Sequence, residues 1–159
     1  MKIDLKHIVS AVLTALVLTA CTDSSCYDNG SALPLVRFYN SGTTTQCTVN
    51  GLSVRGIDAP GDSVLVDKTN TTELYLPLRV NVKTTQWEFD YTIDGLLPDT
   101  LTVSYEPIPY FSSVECGAMY NFKVSEVRVT HNMIDSVELV KPVIDNVADV
   151  AIRLFFPSK

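Results

Sequence analysis

Four cysteines, two histidines and eighteen acidic side chains are the first groups in this 159-residue chain to weigh as nucleophiles, metal ligands or proton carriers. Their spacing limits what they can do together. No Cys-x-x-Cys pair occurs and candidate ligands are sparse, so neither a zinc site nor a thioredoxin-type redox pair is predicted. His131, in Val-Thr-His-Asn-Met, is the one histidine beyond the first twenty residues, and no Gly-x-Ser-x-Gly is present, so no serine nucleophile with an oriented base is predicted. The glycines are dispersed and the acids do not follow calcium-loop spacing. No catalytic residue, metal or cofactor is therefore assigned. Paired carboxylates are the one catalytic arrangement left open, because a β-sandwich can bring two acids across a cleft.

These groups are carried by a chain that is 46% hydrophobic and 19% charged, a composition that folds as one globular domain rather than staying disordered. The net charge is −6, and it is −7 beyond Ala20 because the first twenty residues hold Lys2 and Lys6 against Asp4. An acidic domain without clustered Lys or Arg is unsuited to phosphate backbones, so nucleic acid is excluded as a partner.

The first twenty residues have the plan of a secretory signal: two lysines, an apolar run from Ile8 to Leu18, then small residues. Residues 1–20 are read as a signal peptide. Leu18-Thr19-Ala20-Cys21 resembles the lipobox of bacterial lipoproteins, in which the cysteine sulfur is acylated and becomes the new N-terminus. Cys21 is thus the expected lipidation site, by palmitate-type acyl chains contributing about 0.8 kcal/mol per buried CH2. Residues 21–32, polar and aperiodic, are the expected tether. Thr22 follows the cysteine where an aspartate would retain the protein at the inner membrane, and Asp23 is a single acid rather than a dense acidic signal. The expectation is an outer-membrane anchor facing the periplasm, an oxidising compartment.

From residue 33 to 159 the chain is a succession of short β-branched and aromatic runs broken by Gly, Pro, Asn and Asp, with no sustained helical repeat. Gln86–Ile93 alternates with Trp87, Phe89, Tyr91 and Ile93 on one face. Leu101, Val103 and Tyr105 repeat the pattern, as do Val150, Ile152, Leu154 and Phe156. Leu74, Leu76, Leu78 and Val80 alternate as well, and Pro77 predicts that this strand lies at an edge or turns its missing N–H outward. The apolar phase slips between Phe122–Val124 and Val127–Val129, predicting a bulge near Ser125 and Glu126. Further strands are expected at 35–39, 48–57, 63–67 and 136–140. Eight or nine short strands without helical crossovers predict an antiparallel β-sandwich.

Three strands open on Asp followed by Ser or Thr: Asp62-Ser63, Asp99-Thr100 and Asp135-Ser136. One reading is that these residues end turns by bonding nearby backbone amides. The triplet also resembles the O-glycosylation acceptor of Bacteroidota envelope proteins, which makes Ser63, Thr100 and Ser136 candidate sugar sites. Tyr105–Phe111, with prolines at 107 and 109, is either an edge guarded against aggregation or an aromatic interaction surface at Tyr110 and Phe111.

With Cys21 acylated, Cys26, Cys47 and Cys116 leave one disulfide and one free thiol. The succession of lipobox, nearby Cys, "LPLVRFYN", "LSVRGI", "DSVLV", "LYLPLRVNVKTTQWEFDY", "DTLTVSYE", "ECGAMYNF" and "DSVELVKPVIDNV" resembles the domain-of-unknown-function family 6452, small lipoproteins of Bacteroidota with no established activity. The resemblance implies that Cys26 pairs with Cys116, leaving Cys47 as the free thiol. Closing that loop of about 90 residues would restrict the unfolded chain by about 4 kcal/mol. A Cys47–Cys116 bridge is the alternative. The resemblance further implies an outer-membrane β-barrel or another envelope protein as partner. The expected function is a non-enzymatic binding or scaffold lipoprotein; a hydrolase using paired carboxylates and a fimbrial or adhesin subunit are the alternatives.

Overall fold

A computed structural model describes residues 32–61, 63–114, 117–145 and 147–158, and its ten strands form two sheets. Cys21, Cys26 and Cys116 lie outside the described residues. The strands are β1 (Leu35–Asn40), β2 (Val49–Ile57), β3 (Val64–Thr71), β4 (Glu73–Tyr75), β5 (Thr84–Tyr91), β6 (Asp99–Ser113), β7 (Gly117–Val129), β8 (Ser136–Leu139), β9 (Val143–Ile144) and β10 (Val150–Phe156). One sheet has the order β4-β1-β10-β8 and the other β3-β2-β5-β6-β7-β9. Among the described residues there is no helix.

The expected all-β sandwich is the observed class. The ladders are antiparallel except one: β1 runs parallel to β10, from Leu35 beside Val150 to Asn40 beside Phe156. The chain changes sheets between β3 and β4, where the Thr72 carbonyl accepts from the Phe38 amide (2.9 Å).

Alternation fills the space between the sheets. Trp87, Phe89, Leu101, Val103, Leu52 and Val54 from the larger sheet meet Val36, Phe38, Ile152 and Leu154 from the smaller, all buried. Ring pairs Phe38–Phe156 and Tyr105–Phe122 meet edge to face, at 5.4 and 5.3 Å between centroids, the geometry the ring quadrupoles favour. Outside, Arg37–Glu73, Arg55–Glu88 and Arg153–Glu138 face each other across adjacent strands. Such half-exposed pairs contribute little energy each and chiefly favour the native register.

The bulge lies at Ser125: Ser104 pairs with Glu126 and Tyr105 with Val124, so Ser125 is the extra residue, and its hydroxyl donates to the Ser104 carbonyl (3.1 Å). Two expected inward residues are exposed instead. Strand β5 ends at Tyr91 and the chain turns immediately, the Ile93 amide donating to the Tyr91 carbonyl (2.7 Å), so Ile93 leaves the core. Strand β4 is an edge strand, but it stops at Tyr75, before Pro77; Leu76 and Leu78 stay buried while Val80 turns outward.

The most connected polar group is Asp99, fully buried at the start of β6. Its Oδ1 accepts from the Thr130 hydroxyl (2.9 Å) and the Asn132 amide (2.8 Å). Its Oδ2 accepts from the Tyr91 hydroxyl (2.9 Å) and the amides of Met133 (2.8 Å) and Ile134 (2.9 Å). Asp99 therefore does not end a local turn, the role read from Asp-Thr in the sequence. It holds a loop 33 to 35 positions further along the chain.

Replacing Asp99 by alanine leaves three backbone amides and two hydroxyls without their acceptor. At about 1–3 kcal/mol per unsatisfied buried group, partly relieved by water, urea denaturation should give a loss of about 3–5 kcal/mol. Thr130→Val should lose about 1 kcal/mol. Burial first, then the charge of Asp99, pushes the Tyr91 phenol far above its ordinary value. The folded protein thus keeps this proton where the unfolded chain gives it up, and stability falls as the pH rises above about 10. Tyr91→Phe should be less stable near neutrality and lose less stability between about pH 10 and 11 than the parent.

Candidate functional site

The loop that Asp99 holds forms one wall of a cleft of about 410 Å3 at that end of the sandwich, lined by Asn40, Cys47, Val49, Gly51, Tyr91, Thr92, Met133 and Phe156. Three elements converge there. The β1–β2 connection brings Cys47, whose amide donates to the Phe38 carbonyl (3.0 Å). The turn after β5 brings Thr92, whose hydroxyl donates to the Gly51 carbonyl (2.8 Å). The Asp99-held loop brings Met133. Gly51 sits at φ 63° and a Cβ there would collide with Thr92 Oγ1, so the close approach of these two segments depends on glycine.

The lining is mostly apolar, with one soft nucleophile. No side chain among the described residues is hydrogen-bonded to the Cys47 sulfur, and burial pushes its thiol up, which keeps it protonated near neutral pH. His131, the sequence's one candidate base, has Nδ1 3.3 Å from the Ile134 carbonyl, in the same loop but turned to its own backbone. The cleft suits an apolar group seated against Met133 and Phe156, with the Tyr91 hydroxyl committed to Asp99.

A second, smaller cleft of about 260 Å3 lies between Pro60, Leu65, Pro77, Arg79, Thr85 and Trp87. Its frame is a second polar knot: the Tyr105 hydroxyl accepts from the Arg79 amide (3.0 Å), donates to the Arg79 carbonyl (2.9 Å) and lies 2.6 Å from the Thr85 hydroxyl. The Arg79 guanidinium donates through Nη1 to the Asp58 carbonyl (2.8 Å), and its buried Nε has no partner among the described residues. At a third, open depression beside Thr43–Thr45, the Ser41 hydroxyl donates to Asp135. No group of three or more His, Cys, Asp or Glu among the described residues is placed to hold a metal ion.

The residues singled out in the sequence do not gather at one place. Ser63 is half-buried just before β3, and Ser136 is exposed at the start of β8 beside Phe155 of β10. Thr100 is half-buried within the sheet, paired with Glu88 and bonded through its own amide to the Thr130 hydroxyl (2.8 Å). Tyr110 and Phe111 point to opposite faces of β6: Phe111 is 70% exposed, whereas Tyr110 is half-buried and its hydroxyl donates to Met119 Sδ (3.6 Å). They do not form a joint aromatic surface. The Cys47 cleft had no sequence signal, since its walls come from segments far apart in the chain.

At about pH 8, iodoacetamide should modify Cys47 several-fold more slowly in the folded protein than in the urea-unfolded chain, followed on the Cys47 peptide by mass spectrometry. Equal rates would mean that the cleft neither buries nor raises the thiol.

No curated protein and no solved structure matches the chain. The sequence model of one family covers residues 51–156, from within β2 to the end of β10, which takes in the larger sheet except the first two residues of β2 and every strand of the smaller sheet except β1. The chain therefore belongs to the family of unknown function DUF6452.

Proposed function

We propose that this chain is a non-enzymatic lipoprotein of the Bacteroidota envelope: a β-sandwich binding or scaffold module fastened by acylated Cys21 to the outer membrane and facing the periplasm. The observation that carries the reading is the apolar leader ending on Leu18-Thr19-Ala20-Cys21, followed by a short polar tether. Its natural partner is a second envelope component, an outer-membrane β-barrel first among them.

The way the chain joins the domain supports a Cys26–Cys116 bridge. Ala32 is buried and its amide donates to the Tyr120 carbonyl (3.1 Å), which lays the first described residue against the opening turns of β7. Cys26 precedes Ala32 by six residues and Cys116 precedes Tyr120 by four, within what extended chain spans at about 3.5 Å per residue. Such a bridge would fasten the tether directly to the β6–β7 hairpin.

Expression in a Bacteroidota host with alkyne-palmitate labelling tests the anchor. The mature protein should begin at Cys21, carry the label and sediment with outer membranes, while Cys21→Ser should lose the label and the membrane fraction. A labelled Cys21→Ser protein would refute the assignment. Non-reducing digestion should yield a Cys26–Cys116 peptide, and a Cys47–Cys116 peptide would overturn the pairing. Crosslinking in intact cells should recover a stoichiometric envelope protein with the tagged chain.

A further inference from the structure

The β6–β7 hairpin reaches well past the strands beside it. Strand β5 pairs with β6 only between Asp99 and Ser104, whereas β6 and β7 stay paired out to Ser113 and Gly117. On its β5 side the projecting arm has an edge that no described strand covers, and its prolines weaken that edge as a template. The Tyr105 amide donates to the Lys83 carbonyl on that side (2.8 Å), so alternation turns the nitrogens of Pro107 and Pro109 the same way. Proline nitrogens carry no hydrogen, so an incoming strand would find two successive donors missing along this edge. Strand addition is disfavoured along that stretch, yet the arm ends in apolar side chains. Val114 (87%) and Phe111 (70%) are the two most exposed large apolar side chains among the described residues, and both belong to the hairpin end. Leu33 and Ile108 add exposed apolar surface along the arm.

We propose that the end of the β6–β7 hairpin seats in the lipid bilayer through Phe111 and Val114, fixing the orientation of the domain on the membrane. The occupant follows from where the chain outside the described residues leads. Phe111 pairs with Ala118, two residues from Tyr120, on whose carbonyl Ala32 is held. Cys21 is eleven residues before Ala32, a reach of at most about 40 Å, and it shortens to under about 20 Å if Cys26 is bridged to Cys116, two residues from Val114. The proposal rests on the lipid anchor at Cys21 and the Cys26–Cys116 bridge proposed above. Given both, the hairpin end is held within about 20 Å of the lipid. An aromatic ring and a branched aliphatic side chain on a stiff two-stranded arm are suited to the boundary between headgroups and acyl chains. The arm is not a basic patch, so the contact is apolar rather than a charge attraction to anionic lipid.

Tryptophan reports this directly, because Trp87 is the one native tryptophan and is buried in the core. The full acylated chain carrying Phe111→Trp is reconstituted in phosphatidylcholine vesicles with brominated acyl chains and compared with Leu97→Trp, an exposed position in the turn before β6. Both sites are on the surface, and the constant Trp87 signal reports that the sandwich has kept its fold. Phe111→Trp should add a blue-shifted component that brominated lipid quenches by more than half, with Leu97→Trp unquenched. Equal behaviour of the two, with acyl groups on Cys21 verified by intact mass, would overturn the seating and leave the anchor standing. A mature chain without acyl groups would overturn both. Shielding of the residue-111 tryptophan only in native envelopes, and not in protein-free vesicles, would assign the surface to a protein and refute a lipid contact.

Discussion

The far end of this sandwich is organised by one carboxylate. A buried carboxylate is costly unless its lone pairs are occupied, and Asp99 meets that requirement with five donors drawn from two segments, the end of β5 and the connection after β7. The consequence reaches beyond the loop itself. Residues 130–135 carry the chain from β7 of the larger sheet to β8 of the smaller, and the Asp135 amide goes on to donate to the Phe155 carbonyl of β10 (2.8 Å). The carboxylate at the start of β6 thus sets where the crossing between sheets begins, and with it how the smaller sheet lies over the core.

Strand β6 carries a second fixed point of the same kind. Six residues beyond Asp99, the Tyr105 hydroxyl gathers both backbone groups of Arg79 and the hydroxyl of Thr85. Between the two knots β6 contributes only Leu101 and Val103 to the interior, both fully buried. The strand therefore acts as a spar, with polar attachments at two levels and an apolar stretch between. Each of the two smaller clefts opens beside one attachment, where an irregular segment is held against the sheet and does not fill the space completely.

How much of this was legible in the sequence follows from the range of each signal. Alternation is a two-residue signal, so Trp87–Phe89–Tyr91 and Leu101–Val103–Tyr105 were readable as inward faces, and the slip at Ser125 was readable as a bulge. Strand ends were less so: Ile93 and Val80 continue the pattern by type, but a turn at Thr92 and the constraint at Pro77 remove them from it. Asp99-Thr100 looked like a local turn because the amides it serves come 33 to 35 positions later, and no spacing rule connects them. The Cys47 cleft was invisible for the same reason. The parallel alignment of β1 with β10 was hidden because short apolar runs carry no information on direction. Only the prolines of the β6 arm were informative beyond their neighbours: a missing N–H has a side, and the register says which.

The parallel pair also constrains when the protein can fold. Strand β1, among the first to be made, has β4 on one flank and β10 on the other, and β10 ends at Phe156. Until that last strand has left the ribosome or emerged from a translocation pore, Val36 and Phe38 lack the neighbours that cover them in the finished core. The pairing of β1 with β10 is a long-range contact, the kind that slows folding and leaves partly made chains open. The larger sheet can pair its own hairpins earlier, but with this topology the smaller sheet stays incomplete, and the core open on that side, until β10 has arrived.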